Sequence, residues 1–265
     1  MQNSVKWLIL VLGLAGAAAI VYNKWQSAKP VAQPQPAAST EAPPAPGAPV
    51  EPQIRYPIGD ASKEVKPLPA LAESDAALQE SATGVVGQKP FAEFFYPNDI
   101  IRRVVATVDN LPRERVALRL MPVKPVAGKF ATAGEGDNIV SSADNASRYT
   151  PYVRLMEATD AKKLVAAYVH FYPLFQQAYK DLGYPDRYFN DRLVEVIDHL
   201  LAAPDVPGPL RLSRPKVMYQ FVDPKLEALS AGQKIMIRMG GENAGKVKAK
   251  LKEIRAELTS QTPKY

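Results

Sequence analysis

Three carboxylates, Asp191, Glu195 and Asp198, stand four and then three residues apart, a spacing that lines them up on one face of a helix. Like charges so placed repel unless a cation faces them. Two chemistries use such an arrangement: a hard divalent ion held by oxygen ligands, or paired acids flanking a glycosidic bond. The plainer alternative, and the one preferred on the residue types alone, is a solvated face whose acids pair with Arg187, Arg192 or a neighbouring helix. His199, beside a leucine stripe, reads as structural. Immediately upstream, Tyr168, Phe171, Tyr172, Phe175, Tyr179, Tyr184, Tyr188 and Phe189 crowd into one stretch. Aromatic side chains dominate core burial, so a core is the first expectation, while the excess of tyrosine leaves open a groove on which sugar rings stack. Arg148-Tyr149 and Arg102-Arg103 are the candidate fixed cations opposite the carboxylates. On a Ser/Asn-rich loop such an arginine either clamps an anion bidentately or pins its own loop. The candidate binding set is therefore Arg148, Tyr149, Tyr172, Tyr188, Asp191, Glu195 and Asp198.

No catalytic residue, metal ligand or cofactor is assigned. The sequence has no cysteine and only 2 histidines, which excludes disulfides, thiolate zinc sites and cysteine nucleophiles. Nothing supplies a Ser-His-Asp order or a dinucleotide fingerprint. The run Gly240 to Gly245 lacks the preceding strand and the lysine spacing of a phosphate loop, so it reads as a turn between helices. The chain carries 33 basic and 27 acidic residues, for a net +6, but Lys246, Lys248, Lys250, Lys252 and Arg255 supply most of that excess. With the remainder nearly neutral, nucleic acid is not an expected partner.

The elements that must position these residues read as helices. Ser74-Asp75 caps a short one from Ala76 to about Ala82, ended by Gly84 or Gly87. Ile101, Val104, Val105 and Val108 form a helical stripe, with Asn98 or Asp99 as cap and Leu111-Pro112 as stop. Residues 113–121 suggest another helix. The Gly, Ser and Asn content from Gly128 to Arg148 predicts a loop with at most a short strand. Asp160 caps a long helix that runs to Leu182 and closes at Gly183, with Pro173 inside it expected to kink or divide it. Asn190 to Ala203 is the most amphipathic segment, with Leu193, Val196, Ile197, Leu200 and Leu201 as its stripe. Asp223-Pro224 opens a further helix, and Ser230 to Gln233 has capping-box spacing for the next. The last presents Val247, Leu251, Ile254 and Leu258. The fold class is mainly α, one multi-helix globular domain over 56–260 with little or no strand.

The first fifth of the chain differs in kind. After a stub at 1–6, residues 7–23 (WLILVLGLAGAAAIVYN) form an uncharged run flanked by Lys6 and Lys24, which predicts a single-pass membrane helix with Trp7, Tyr22 and Trp25 at the interfaces. A cleaved signal peptide ending near Ala19 is the competing reading. Residues 24–55 are rich in proline and alanine and predict an extended spacer of polyproline II character. Flanking charge is almost balanced across the apolar run; the short stub, the long spacer and the lack of cysteine favour placing the folded domain outside the cytoplasm, in the periplasm.

The segments VDNLP (Val108 to Pro112), RYTPYV (Arg148 to Val153), YPLFQQAYKDLGYP (Tyr172 to Pro185), YFNDRLVEVIDHLL (Tyr188 to Leu201), YQFVDPKLEALSAGQK (Tyr219 to Lys234) and IRMGGENAGKVKAKL (Ile237 to Leu251) resemble the bacterial family known as domain of unknown function 3014, over most of residues 56–258. The resemblance implies a membrane-anchored proteobacterial envelope protein and brings no established activity, so no catalytic residue is carried over. The expected function is non-enzymatic: a helical domain held at the bacterial inner membrane through residues 7–23 that docks an envelope protein partner. The alternative is a domain that binds or cleaves cell-wall glycan (peptidoglycan) through the Tyr168 to Phe189 aromatics and the Asp191/Glu195/Asp198 carboxylates.

Overall fold

The computed structural model describes residues 54–58 and 67–261, all within one compact unit spanning Val50–Tyr265. The expected membrane helix at 7–23 and nearly all of the spacer lie outside the described residues. Among the described residues, no helix is long and apolar enough to cross a membrane.

The domain is mainly helical. Its elements are α1 (Asp75–Val86), α2 (Gln88–Phe94), α3 (Ile100–Asn110), β1 (Thr132–Ala133), β2 (Val140–Ser141), α4 (Asp144–Ala158), α5 (Ala161–Asp181), α6 (Phe189–Leu201), β3 (Leu212–Ser213), β4 (Gln220–Phe221), α7 (Pro224–Glu227), α8 (Ala231–Arg238) and α9 (Gly241–Ser260). Among the described residues, strands are confined to two antiparallel pairs, β1 with β2 and β3 with β4. An isolated bridge from Val140 to Arg211 links one pair to the other.

Helices α5 and α6 are the centre of the packing: α3 lies against both, α9 against both and against α4, and α1 against α5. Two apolar clusters result. The first gathers Phe91, Ile101, Val105, Phe171, Phe175, Tyr179 and Phe189. The second gathers Val153, Val165, Val194, Ile197, Met236, Leu251 and Leu258. A smaller third cluster, Leu210, Leu212, Phe221 and Ile237, seats the β3–β4 hairpin. Each fully buried side chain of this size contributes roughly 1.5–3 kcal/mol. The stripe on α6 therefore faces both main clusters, with Val196 on one side and Ile197 on the other.

Several helix ends follow the sequence. Asp160, Asp223 and Ser230 each accept a hydrogen bond from a backbone amide of the first turn they precede. Gly183, just past the end of α5, has φ +110°, a conformation that L side chains rarely adopt. The helix passes through Pro173 without being divided.

Four readings are corrected. Ser74 precedes α1 but does not cap it, because its hydroxyl donates to Leu71 O at 2.8 Å. Asp99 precedes α3 but caps nothing with its side chain. The carboxylate of Asp75, on α1, reaches across instead and accepts from Asp99 N at 2.8 Å and Ile100 N at 3.0 Å. Residues 113–121 hold only a turn at Leu118–Leu120, because Arg103 draws the carbonyls of Arg119 and Met121 down onto α3. The loop expected up to Arg148 gives way to helix from Asp144 onward. Asn145, poor in helix propensity, is buried there and meets Ala131 N, Ala131 O, Ser142 O and Ser141 Oγ through its amide. Tertiary bonding of that one side chain outweighs its local preference.

Candidate functional site

Tyr172, Tyr188 and Asp191 come together where α5 and α6 meet the segment 54–58. The N-terminal end of α6 presents Asp191 to the backbone of that segment, accepting from Arg55 N at 3.0 Å and from Tyr56 N at 2.8 Å. Tyr188, just before the helix, accepts from Ile58 N at 2.8 Å. Between them Asn190, with no exposed surface, donates to Tyr56 O at 2.9 Å and accepts from Tyr168 Oη at 3.2 Å. A carboxylate, a phenol and an amide thus form a clasp that reads backbone polarity and holds a bent, non-regular segment of the same chain.

The other two carboxylates diverge from that clasp. Glu195 accepts from Arg192 Nη1 at 2.8 Å. Asp198 takes a bidentate pair from Arg255 of α9, with Nε at 2.5 Å and Nη2 at 3.0 Å. The line of like charge is therefore relieved by one set of amides and two arginines. Among the described residues, no group of three or more His, Cys, Asp or Glu side chains is arranged to hold a metal ion.

Arg148 and Tyr149 lie apart, on α4. The Arg148 guanidinium donates to Ala127 O at 2.9 Å and Gly128 O at 2.8 Å, so it pins the loop it follows. Tyr149 packs against the second cluster. Arg102 meets Asp99, and Arg103 holds carbonyls; neither faces the α6 carboxylates.

The aromatic stretch builds core. Phe175 stacks on Phe189 with centroids 6.0 Å apart, Tyr179 on Tyr184 at 4.7 Å, and Tyr168 packs edge-on to Tyr172 at 5.7 Å. Burial pushes the Tyr168 hydroxyl well above the ordinary tyrosine range, and burial followed by the hydrogen bond with Tyr188 does the same to Tyr172. Both are neutral hydroxyls at any ordinary pH. Tyr172 spends its proton on Gln176 Oε1 at 2.8 Å, which also takes Phe189 N at 2.8 Å.

Two features escape a reading of residue types. The first is Asp109, 3% exposed, whose carboxylate gathers Arg113 Nη2 at 2.5 Å, Tyr184 Oη at 3.2 Å and Arg192 Nη2 at 3.4 Å. Its i,i+4 spacing to Arg113 was the visible signal; Arg192 and Tyr184 arrive only through the fold. Removing one member of such a network strands the others. The second is a cavity of about 400 Å³ between the two main clusters, walled by side chains of α1, α3, α5, α6 and α9. Apolar side chains that border such a half-open space lack the contacts a filling group would supply. The small wall residues Ala82, Val104 and Ala167 keep it open.

A family model described as "Protein of unknown function (DUF3014)" matches residues 100–255. No curated protein and no solved structure matches the chain.

Proposed function

Because the chain belongs to the DUF3014 family, whose description names no activity, its role is read from its own surface, and we propose a non-enzymatic, membrane-anchored cell-envelope protein whose helical domain docks a protein partner. The observation that carries this reading is the β3–β4 hairpin. Its tip turns out Val217 and Met218, 76% and 75% exposed, while Leu212 and Phe221 at its base are buried in the third cluster. The tip is held in shape by Arg214, which donates to Val217 O at 3.2 Å and lies over the Tyr219 ring. Large apolar side chains on a fixed tip suit insertion into a partner's pocket. Exposed Arg211, Arg214 and Lys216 surround them, so the matching pocket has an acidic rim. By contrast, the polar residues of the sequence-derived set that carry charge are engaged inside the domain. The inner-membrane anchor at 7–23 and the periplasmic placement rest on the apolar run, its interfacial aromatics and the spacer.

The test is crosslinking in cells from a photoreactive residue at Met218, with Glu257 on α9 as control. A discrete protein adduct from position 218, absent from position 257, is expected. Equal capture from both positions, or lipid adducts alone at 218, would sink the docking reading.

A further inference from the structure

We propose that the cavity between α1, α3, α5, α6 and α9 is a binding site for one long alkyl chain, as carried by a fatty acid or by one arm of a phospholipid. Its wall is hydrocarbon almost throughout. Of the hydroxyl-bearing residues, Tyr168 already spends its group on Asn190, and Ser81 is only half-buried, on α1. No charged side chain lines it, so a polar ligand would lose its hydration and gain nothing in exchange.

Size and reach select among apolar ligands. An apolar cavity of roughly 150 Å³ takes up one benzene; by the same measure about 400 Å³ accommodates roughly sixteen carbons. The space extends from Leu78 and Phe91 in the first cluster to Leu251 and Leu258 in the second, which suits a chain better than a compact ring. It also exceeds what any one side chain of a protein partner fills. Val85, Leu164 and Ile254 border it and remain half-buried, so they form its rim. Exposed Lys163 precedes the wall residue Ala167 by one helical turn on the same face, which places a cation within reach of an anionic head outside the rim. This site is independent of the hairpin docking surface, and either can fail without the other.

The experiment uses the full chain, purified without alkyl-chain detergent and incubated with a diazirine-bearing hexadecanoic acid, with adducts mapped by mass spectrometry. Expected are saturable adducts on peptides containing Val104 and Ile254, reduced about tenfold by unlabelled hexadecanoic acid and about tenfold in Ala167→Phe and Val104→Phe, whose rings fill the space. Phosphatidylglycerol vesicles as competitor separate the sources. Competition by vesicles means that the chain is drawn from a bilayer, and competition by the free acid alone means a soluble acid; both support the site. Labelling that does not saturate, that concentrates on Val217 and Met218, or that persists in filled variants with wild-type circular dichroism overturns it. Should a filled variant fail to fold, the wild-type adduct map decides alone.

Discussion

Gly232 sits in the first turn of α8 where that helix crosses the end of α3. Its amide donates to Leu111 O at 2.9 Å, and a Cβ built on it would lie 2.6 Å from Leu200 Cδ2, 3.1 Å from Leu111 O and 3.3 Å from Leu111 Cβ. In Gly232→Ala the Leu200 methyl can swing aside, but the Leu111 carbonyl is backbone and is tied to the same residue. Forcing a methyl into such a contact costs roughly 1–3 kcal/mol, and the better helix propensity of alanine returns about 0.5–1 kcal/mol. The expected net loss centres on about 1 kcal/mol, read from urea melts with an unchanged m value. Leu200→Ala alone, at a half-buried position that touches both main clusters, should cost about 2–3 kcal/mol, the low end for leucine truncation. Combined, the new methyl occupies space that Leu200 vacates, so the double variant should recover about 1 kcal/mol relative to the sum. A Gly232→Ala protein as stable as the wild type, or losses that simply add, would refute the close-contact argument.

Asp75→Ala should cost about 1 kcal/mol through loss of the cap it provides to α3, while Asp75→Asn, with one acceptor oxygen for two amides, keeps only part of it; amide exchange at Ile100 reports the difference. Asp191→Asn should raise exchange at the Arg55 and Tyr56 amides with a stability loss of about 1 kcal/mol, and calcium should shift the wild-type melting temperature by less than about one degree, since its carboxylate is already spent. Glu227 meets Lys234 Nζ at 2.8 Å and Phe221 N at 2.9 Å. Partial burial opposes its ionisation, but those hydrogen bonds and the Lys234 charge outweigh it and hold the carboxyl below its ordinary range. The stabilisation is thus complete above the unfolded value of about 4.3 and is lost as pH falls through the lower folded value. Glu227→Gln should lose about 2 kcal/mol at neutral pH, between an exposed and a buried pair, and show a shallower acid decline; identical acid profiles would contradict this.

Where local periodicity and caps agree, the fold was legible in the sequence. The Leu193 to Leu201 stripe and the Asp160, Asp223 and Ser230 caps are local signals that the packing leaves intact. Most of the errors share one cause, a side chain serving backbone outside its own element. Asn145 makes a helix start out of a loop-like stretch, and Asp75 caps a helix to which it does not belong. At the candidate site, periodicity places the three carboxylates on one helix, and Arg192 follows from its spacing as a counter-charge; no spacing rule gives Arg255 or the amides of Arg55 and Tyr56. The hairpin tip and the cavity had no motif to announce them, since exposure and volume exist only after folding.

The clasp at the start of α6 also fixes how the domain bears load. A pull on the chain at Ile54 is taken up by Asp191, Tyr188 and Asn190 through their bonds to residues 55, 56 and 58. Force therefore enters at one of the two central helices, yet through contacts that part while the helix stays wound. Such an attachment behaves as a mechanical fuse: its yielding lets out chain at about 3.5 Å per residue released and withdraws only Ile58 from the first apolar cluster and Tyr56 from the edge of the second.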